Sequence, residues 1–365
     1  MRIGINALYL LPGGVGGTEI YLRNLLAALA GIDAENVYVV FTNAETGADL
    51  APPRANFVHA PQRVKAAFRP ARILYEQSLL PAAAARHGID VMLNPGFTAP
   101  VYLHCPSVTV FHDLQHKVHP EYFRWWDLPF WRVLLFLSAQ LSRLVLADSE
   151  ATAADLRRFY RLGDDKLRVA PLGVNPVFFE IGARRAPEPF LLCVSTLHPH
   201  KNLDRLLEAF ALFRERHPDF RLVVAGMHGF ASRETERRRA ELGLDASVEL
   251  TGWIESDALL DLYARAWAFV YPSTFEGFGL PVLEAMAAGV PTACSAIAPL
   301  REVAGEAALY FEPENVEEIA GAMMKLACDR ELRAGLAVSG PARAREFPWS
   351  RTARATLQAL REAAT

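Results

Sequence analysis

Short apolar runs alternate along this chain with longer stretches of helical period, and that alternation admits few folds. A strand–helix–strand rhythm lays its strands parallel, because each helix carries the chain back over the sheet and covers one face. In the first half, strands are predicted at Ile3–Leu8, Val37–Phe41, Phe57–His59, Val91–Asn94, Val108–Phe111 and Leu144–Ala147, bounded by Gly, Pro, Asn or Asp. In the second half they are predicted at Phe190–Val194, Leu222–Ala225, Val248–Leu250, Ala268–Tyr271 and Thr292–Cys294. Between them the helical period is clearest at Glu19–Ala30, Leu203–Arg216, Ala258–Arg265 and Pro281–Ala288. The expected class is α/β: two Rossmann-like, doubly wound parallel-sheet domains facing across a cleft.

The stretch Pro171–Pro189 holds four prolines and breaks the period just before a new strand. The expected division is therefore a domain over 1–171, a linker or hinge over 172–189, and a second domain over 190–347. A last segment, 348–365, whose helical stretch is Ser350–Ala363, is expected to pack back across the junction. At 52% hydrophobic and 22% charged, the 365 residues can bury a large core, which excludes disorder. A net charge of −3 argues against nucleic acid as a partner. Cys105, Cys193, Cys294 and Cys328 show no metal or redox spacing, and the N-terminus reads as a buried strand rather than a signal peptide, so a reducing, cytoplasmic setting is expected. The segment Leu128–Ala147 has the length of a membrane span, yet contains Arg132, Ser138, Gln140 and Arg143. It reads as a core-packed helix followed by a strand; a second reading makes Arg124, Trp125, Trp126, Phe130, Trp131 and Arg132 a basic and aromatic edge for a membrane surface or a lipid-linked substrate.

Ligands of doubly wound sheets sit beyond the carboxyl ends of the strands, so the loops after strands carry the chemistry. Pro12–Glu19 reads PGGVGGTE: Gly13, Gly14, Gly16 and Gly17 let the backbone approach an anion at a helix start, or simply serve a tight turn. It matches neither the dinucleotide fingerprint nor a P-loop. Phe275–Glu284 reads FEGFGLPVLE, a glycine-loosened loop opening into a helix at Pro281, with N–H groups for a phosphate. Its carboxylates Glu276, in the loop, and Glu284, about a turn into the helix, suit the hydroxyls of a sugar and a ribose; the plainer reading leaves Glu276 to solvent and Glu284 to the helix dipole. In HPHKN, Lys201 follows Thr196 and His200 and is placed to meet a diphosphate. In FHDL, His112 can donate or accept a proton near neutrality, with Asp113 to orient or charge it. His112, His116 and His119 lack the spacing of a metal site, and no Asp-x-Asp is present, so no metal and no cofactor are expected.

Glu276 and Glu284 with Gly277, Phe278, Gly279, Leu280 and Pro281 between them resemble the signature of retaining glycosyltransferase family 4, of GT-B fold. The glycine-rich loop, FHDL, VSTLHPHKN and TGWIESDALLDLY follow in that family's order, so the resemblance spans nearly the whole chain. It implies a nucleotide-sugar donor, with Gly16 and Gly17 approaching the diphosphate or acceptor and His112 near the donor sugar. Lys201 would bind the diphosphate, Glu276 the sugar hydroxyls and Glu284 the ribose. The backbone of Phe278, Gly279 and Leu280 would hold sugar and phosphate, and Trp253 and Ile254 would flank the base; Trp253 read by itself is equally a packed aromatic. The Arg that many members carry five or six residues before the Lys, and others immediately before it, is replaced here by Ser195, Thr196 and His200; His200 would then be a partial substitute, with donor affinity falling as pH rises through the histidine pKa. The form of HPHKN, YEQSLLP and FHDL resembles the bacterial mannosyltransferase-like branch that builds surface polysaccharides, which implies GDP-mannose as donor and a glycan or lipid-linked glycan as acceptor. A sugar-nucleotide epimerase, a glycosidase using Glu276 and Glu284, and a non-catalytic nucleotide-binding protein are the alternatives.

Overall fold

A computed structural model describes residues 1–365 apart from Gly14, Val15, His228 and Phe230. The chain divides into two compact units, Met1–Gly173 with Pro348–Thr365, and Val174–Phe347.

The first unit is built on seven parallel strands: β1 Arg2–Ala7, β2 Val37–Thr42, β3 Phe57–Pro61, β4 Val91–Asn94, β5 Ser107–Phe111, β6 Leu144–Ala147 and β7 Leu167–Val169. They lie in the order β3-β2-β1-β4-β5-β6-β7, so the winding reverses between β1 and β4. Ile3, Ile5, Val39, Phe41, Leu93 and Val110 are buried, as expected of strands covered on both faces. The second unit repeats the plan with β8 Phe190–Val194, β9 Arg221–Ala225, β10 Val248–Gly252, β11 Ala268–Tyr271, β12 Thr292–Ser295 and β13 Leu309–Phe311. Its order is β10-β9-β8-β11-β12-β13, again all parallel, with the reversal between β8 and β11.

The strands β7 and β13 escaped the sequence reading. Each is three residues long with two of them only partly buried, too short for a periodic signal. Within the stretch read as a linker, Val177–Ile181 forms a helix that buries Phe178 and Ile181 in the second unit. The segment Leu128–Leu141 is helical, but only Leu134, Leu135, Ser138 and Ala139 are buried; Phe130, Val133, Phe136 and Leu141 are exposed, so the expectation of a core-packed helix is corrected to a half-packed one. Among the described residues no helix is long and apolar enough to cross a membrane.

The C-terminal helix Trp349–Ala364 buries Thr352, Ala353, Thr356, Leu357 and Leu360 in the first unit. It is fixed there by Thr352 Oγ1 donating to the Pro171 carbonyl at 2.6 Å and by an ion pair of Arg168 with Glu362. Gly173 lets this helix start where it does: a Cβ at that position would stand 2.5 Å from the Trp349 nitrogen and 2.6 Å from its Cα. Neither backbone atom can step aside, so Gly173→Ala is expected to destabilise the first unit by about 3 kcal/mol, read as a lower urea midpoint.

Candidate functional site

In the second unit the loops after β8 and β11 meet where the strand order reverses, the place at which an open parallel sheet leaves a crevice. The first loop enters the helix Leu203–Arg214 through Asn202, whose left-handed φ of 57° turns the chain. Asn202 Nδ2 donates to the carbonyls of Pro272 at 3.0 Å and Pro313 at 2.6 Å, binding this loop to its neighbours. Ser273 Oγ and the Thr274 amide both donate to the His200 carbonyl, at 3.0 and 2.8 Å. Lys201 is thereby held against the opposite loop.

There Lys201 Nζ donates to Glu276 Oε1 at 2.6 Å and to Tyr271 Oη at 2.9 Å, and Tyr271 Oη donates to the same Glu276 oxygen at 2.8 Å. The lysine and glutamate side chains are 13% and 12% exposed, which places Glu276 inside the site rather than in solvent. Burial acts to raise its pKa, but the charges of Lys201 and His200 and the hydrogen bonds from Lys201 and Ser273 outweigh it, and the net direction is down. Glu276 is therefore a carboxylate. The rings of His198 and His200 stack beside it, 5.8 Å apart.

Glu284 sits in the helix Leu280–Ala287 and is 8% exposed. Its Oε2 accepts a hydrogen bond from Tyr263 Oη at 3.2 Å. Burial raises its pKa to about 7, only partly offset by Tyr263. A carboxyl whose folded-state pKa is raised stabilises the fold fully below about 4.5, and that contribution, roughly 3 kcal/mol, is lost as pH rises through 7. The helix opens at Gly279, with φ 110°, where a Cβ would meet Leu300 Cδ2 at 2.4 Å. Among the described residues no acceptor takes the N–H of Phe278, Gly279 or Leu280, which leaves donors and the positive end of the helix for an anion. Gly277 is buried in the same loop, and Thr196 is half-buried just past the end of β8. Trp253 and Ile254 follow edge strand β10; at 62% exposure Trp253 is not a packed aromatic.

The first unit carries His112 just past β5. Its Nδ1 donates to Asp148 Oδ2 at 2.6 Å and its Nε2 to the Pro95 carbonyl at 2.9 Å. Burial opposes the charge, but Asp148, Pro95 and Asp113 together raise the pKa. Both partners are acceptors, an arrangement that favours the protonated ring. The orienting acid is Asp148, not Asp113, whose Oδ1 instead accepts from the Gln115 amide at 2.9 Å. His116 is buried against Tyr160 Oη at 2.7 Å, and His119 faces Glu121 at 2.9 Å. Among the described residues no three His, Cys, Asp or Glu form a metal-binding group. In the glycine-rich loop, the Gly13 amide donates to Glu19 Oε2 at 2.8 Å, and Glu19 also pairs with Arg23. Gly16 caps the helix Gly17–Ile32, and the space beside Gly16 and Gly17 is open. Gly14 of that loop lies outside the described residues.

Asp148, Tyr271 and Tyr263 are the functional candidates that the sequence reading missed. Asp148 directly follows the predicted strand Leu144–Ala147, and Tyr271 ends another, so strand ends were the available signal.

The chain matches the model described as Glycosyl transferases group 1 over residues 175–342 and that described as Glycosyltransferase Family 4 over residues 15–178. It is 29% identical over 283 residues to the O-antigen chain mannosyltransferase B of Escherichia coli, covering 73% of each chain. It is 31% identical over 269 residues to the MMP alpha-(1->4)-mannosyltransferase of Mycolicibacterium hassiacum, covering 70% of this chain and 64% of that one. In structure it resembles sucrose-phosphate synthase from Thermosynechococcus elongatus, with a TM-score of 0.82 at 22% identity over 99% of this chain and 98% of that one. With two parallel-sheet units of GT-B type, and two family models that between them take in residues 15–342, the chain belongs to the family 4, group 1 glycosyltransferases.

Proposed function

We propose that this glycosyltransferase moves mannose from GDP-mannose to a glycan or lipid-linked glycan, with retention at the anomeric carbon and without a divalent metal. The observation that carries the proposal is the Lys201–Tyr271–Glu276 cluster at the strand reversal, with the buried Glu284 on the adjoining helix. The relatives' names support the sugar, since two of them are mannosyltransferases.

In this reading Glu276 takes sugar hydroxyls through its carboxylate, and Glu284 takes those of the ribose. Lys201 turns part of its charge to the diphosphate, which also receives the N–H groups of Phe278, Gly279 and Leu280. The second cation that the family's Arg would supply is assigned to His200. His112 keeps the role that the family resemblance implies, toward the donor sugar. The departing phosphate oxygen takes the acceptor's proton while the acceptor oxygen bonds to the anomeric carbon on the same face, so no enzymic nucleophile is used. Rate comes from positioning and from stabilising phosphate charge.

Calorimetry with GDP, UDP, ADP and dTDP, in magnesium and in EDTA, tests the donor. GDP is expected to bind selectively in both, and Glu284→Ala to weaken it by about tenfold or more. Selectivity for another nucleotide, or loss in EDTA, overturns the donor or the metal assignment. Because the Glu284 carboxyl, raised to about 7, holds a proton below that pH, GDP affinity is expected to fall about tenfold from pH 8 to pH 6, and to stay level over that range in Glu284→Gln. A dependence carried by His200 has the opposite sign. Tyr271→Phe removes the hydroxyl shared by Lys201 and Glu276, and is expected to lower kcat about tenfold while changing GDP affinity less than about twofold.

A further inference from the structure

The helix Leu128–Leu141 is apolar on both sides. One side packs through Leu134, Leu135 and Ala139; the other turns Phe130, Val133, Phe136 and Leu141 to solvent at 52%, 58%, 42% and 53% exposure. A helix apolar all round is ordinarily covered all round. Just before it stand Trp125 and Trp126, exposed and edge to face, with the Arg124 guanidinium over Trp126.

This surface continues on neighbouring segments. The Arg69 guanidinium lies 5.0 Å over the Trp131 ring, joining the helix Arg69–Ser78, which carries exposed Phe68, Leu74 and Leu79 on it or at its ends. Ser138 Oγ accepts from the Ala99 amide, Gln77 Nε2 donates to the Ala99 carbonyl, and the Val101 amide donates to Gln77 Oε1, at 3.0, 3.0 and 2.8 Å. That chain of bonds fixes the exposed Val101 and Tyr102 between the two helices.

The charge on these segments is one-sided. Arg63, Lys65, Arg69, Arg124, Arg132 and Arg143 make no ion pair among the described residues. In the same segments the acidic groups are Asp127 and Glu76, and Glu76 is buried against Arg72 at 3.3 Å. Beside Leu79 the surface dips into a groove of about 550 Å³ that Arg63, Arg86 and His87 help to line. All this belongs to a chain of net charge −3.

We infer that this face of the first unit seats on an anionic lipid bilayer, with the apolar stripe and the two tryptophans entering the headgroup region and the arginines meeting lipid phosphates. Indole rings and arginine around an apolar stripe suit a membrane–water interface. A second copy docked on the same face would set cations against cations. The inference deepens the lipid-linked acceptor reading, on which its biological use rests, but the binding itself requires neither donor nor acceptor.

The test is sedimentation of the whole protein with phosphatidylcholine vesicles, with and without about 30 mol % phosphatidylglycerol and free of any glycolipid. Binding is expected only to the anionic vesicles, with tryptophan fluorescence quenched by brominated lipid. Trp125→Ala with Phe130→Ala, and separately Arg69→Gln with Arg124→Gln, are each expected to lower the partition coefficient by about tenfold or more. These side chains are exposed, and unchanged circular dichroism and melting verify the fold of each variant. Equal binding to both vesicle types, full binding by either variant, or absence of binding to the anionic vesicles would overturn the inference, and a concentration-dependent dimer on light scattering would then make a second copy the occupant of this face. Sugar transfer to a soluble acceptor, measured separately, reports on the proposed reaction and not on this surface.

Discussion

A parallel sheet covered on both faces leaves polar chemistry only its ends. The central strands of both sheets are packed from both sides, so a charge in the middle of one would be desolvated with no partner, and the groups that hold a ligand are pushed to the loops past the carboxyl ends. The reversal of strand order decides which loops diverge enough to admit one. Lys201 after β8 and Glu276 after β11 flank that reversal, and the two tyrosines that hold the glutamates come from β11 and from the helix just before it.

The site's own side chains are close to electroneutral. Lys201 is spent on Glu276, and Glu284 avoids its desolvation cost by holding a proton near neutrality. Backbone donors at the start of the helix Leu280–Ala287 add positive potential without adding a titratable group. Such a cluster favours a ligand that brings its own two negative charges together with several hydroxyls, because the hydroxyls satisfy the carboxylates while the ligand's anion takes up the ammonium.

Much of this was legible in the sequence, for a physical reason. Strands such as Val91–Asn94, Leu144–Ala147, Phe190–Val194 and Ala268–Tyr271 are continuous apolar runs between turn residues, and the structure places them at those residues. Lys201, Glu276 and Glu284 were visible because loops after strands are few and their charged residues fewer. What stayed hidden depended on contacts between distant segments. That Asp148, thirty-six positions on, and not the adjacent Asp113 reaches the His112 ring is a matter of β5 pairing with β6. The exposure of Phe130 and Val133 is hidden for the same reason: an apolar residue in a helix is written identically whether or not something covers it.

The return of Pro348–Thr365 to the first unit has a consequence for biosynthesis. All of the second unit emerges from the ribosome between the two parts of the first, so the unit begun first is finished last. At ordinary elongation rates roughly ten to thirty seconds separate Gly173 from Trp349. Through that interval the surface that will receive the terminal helix, around Tyr21 and the Pro171 carbonyl, is bare to the nascent-chain environment while the second unit folds. A chain that stops short of Pro348 therefore keeps a complete second unit and an unfinished first one.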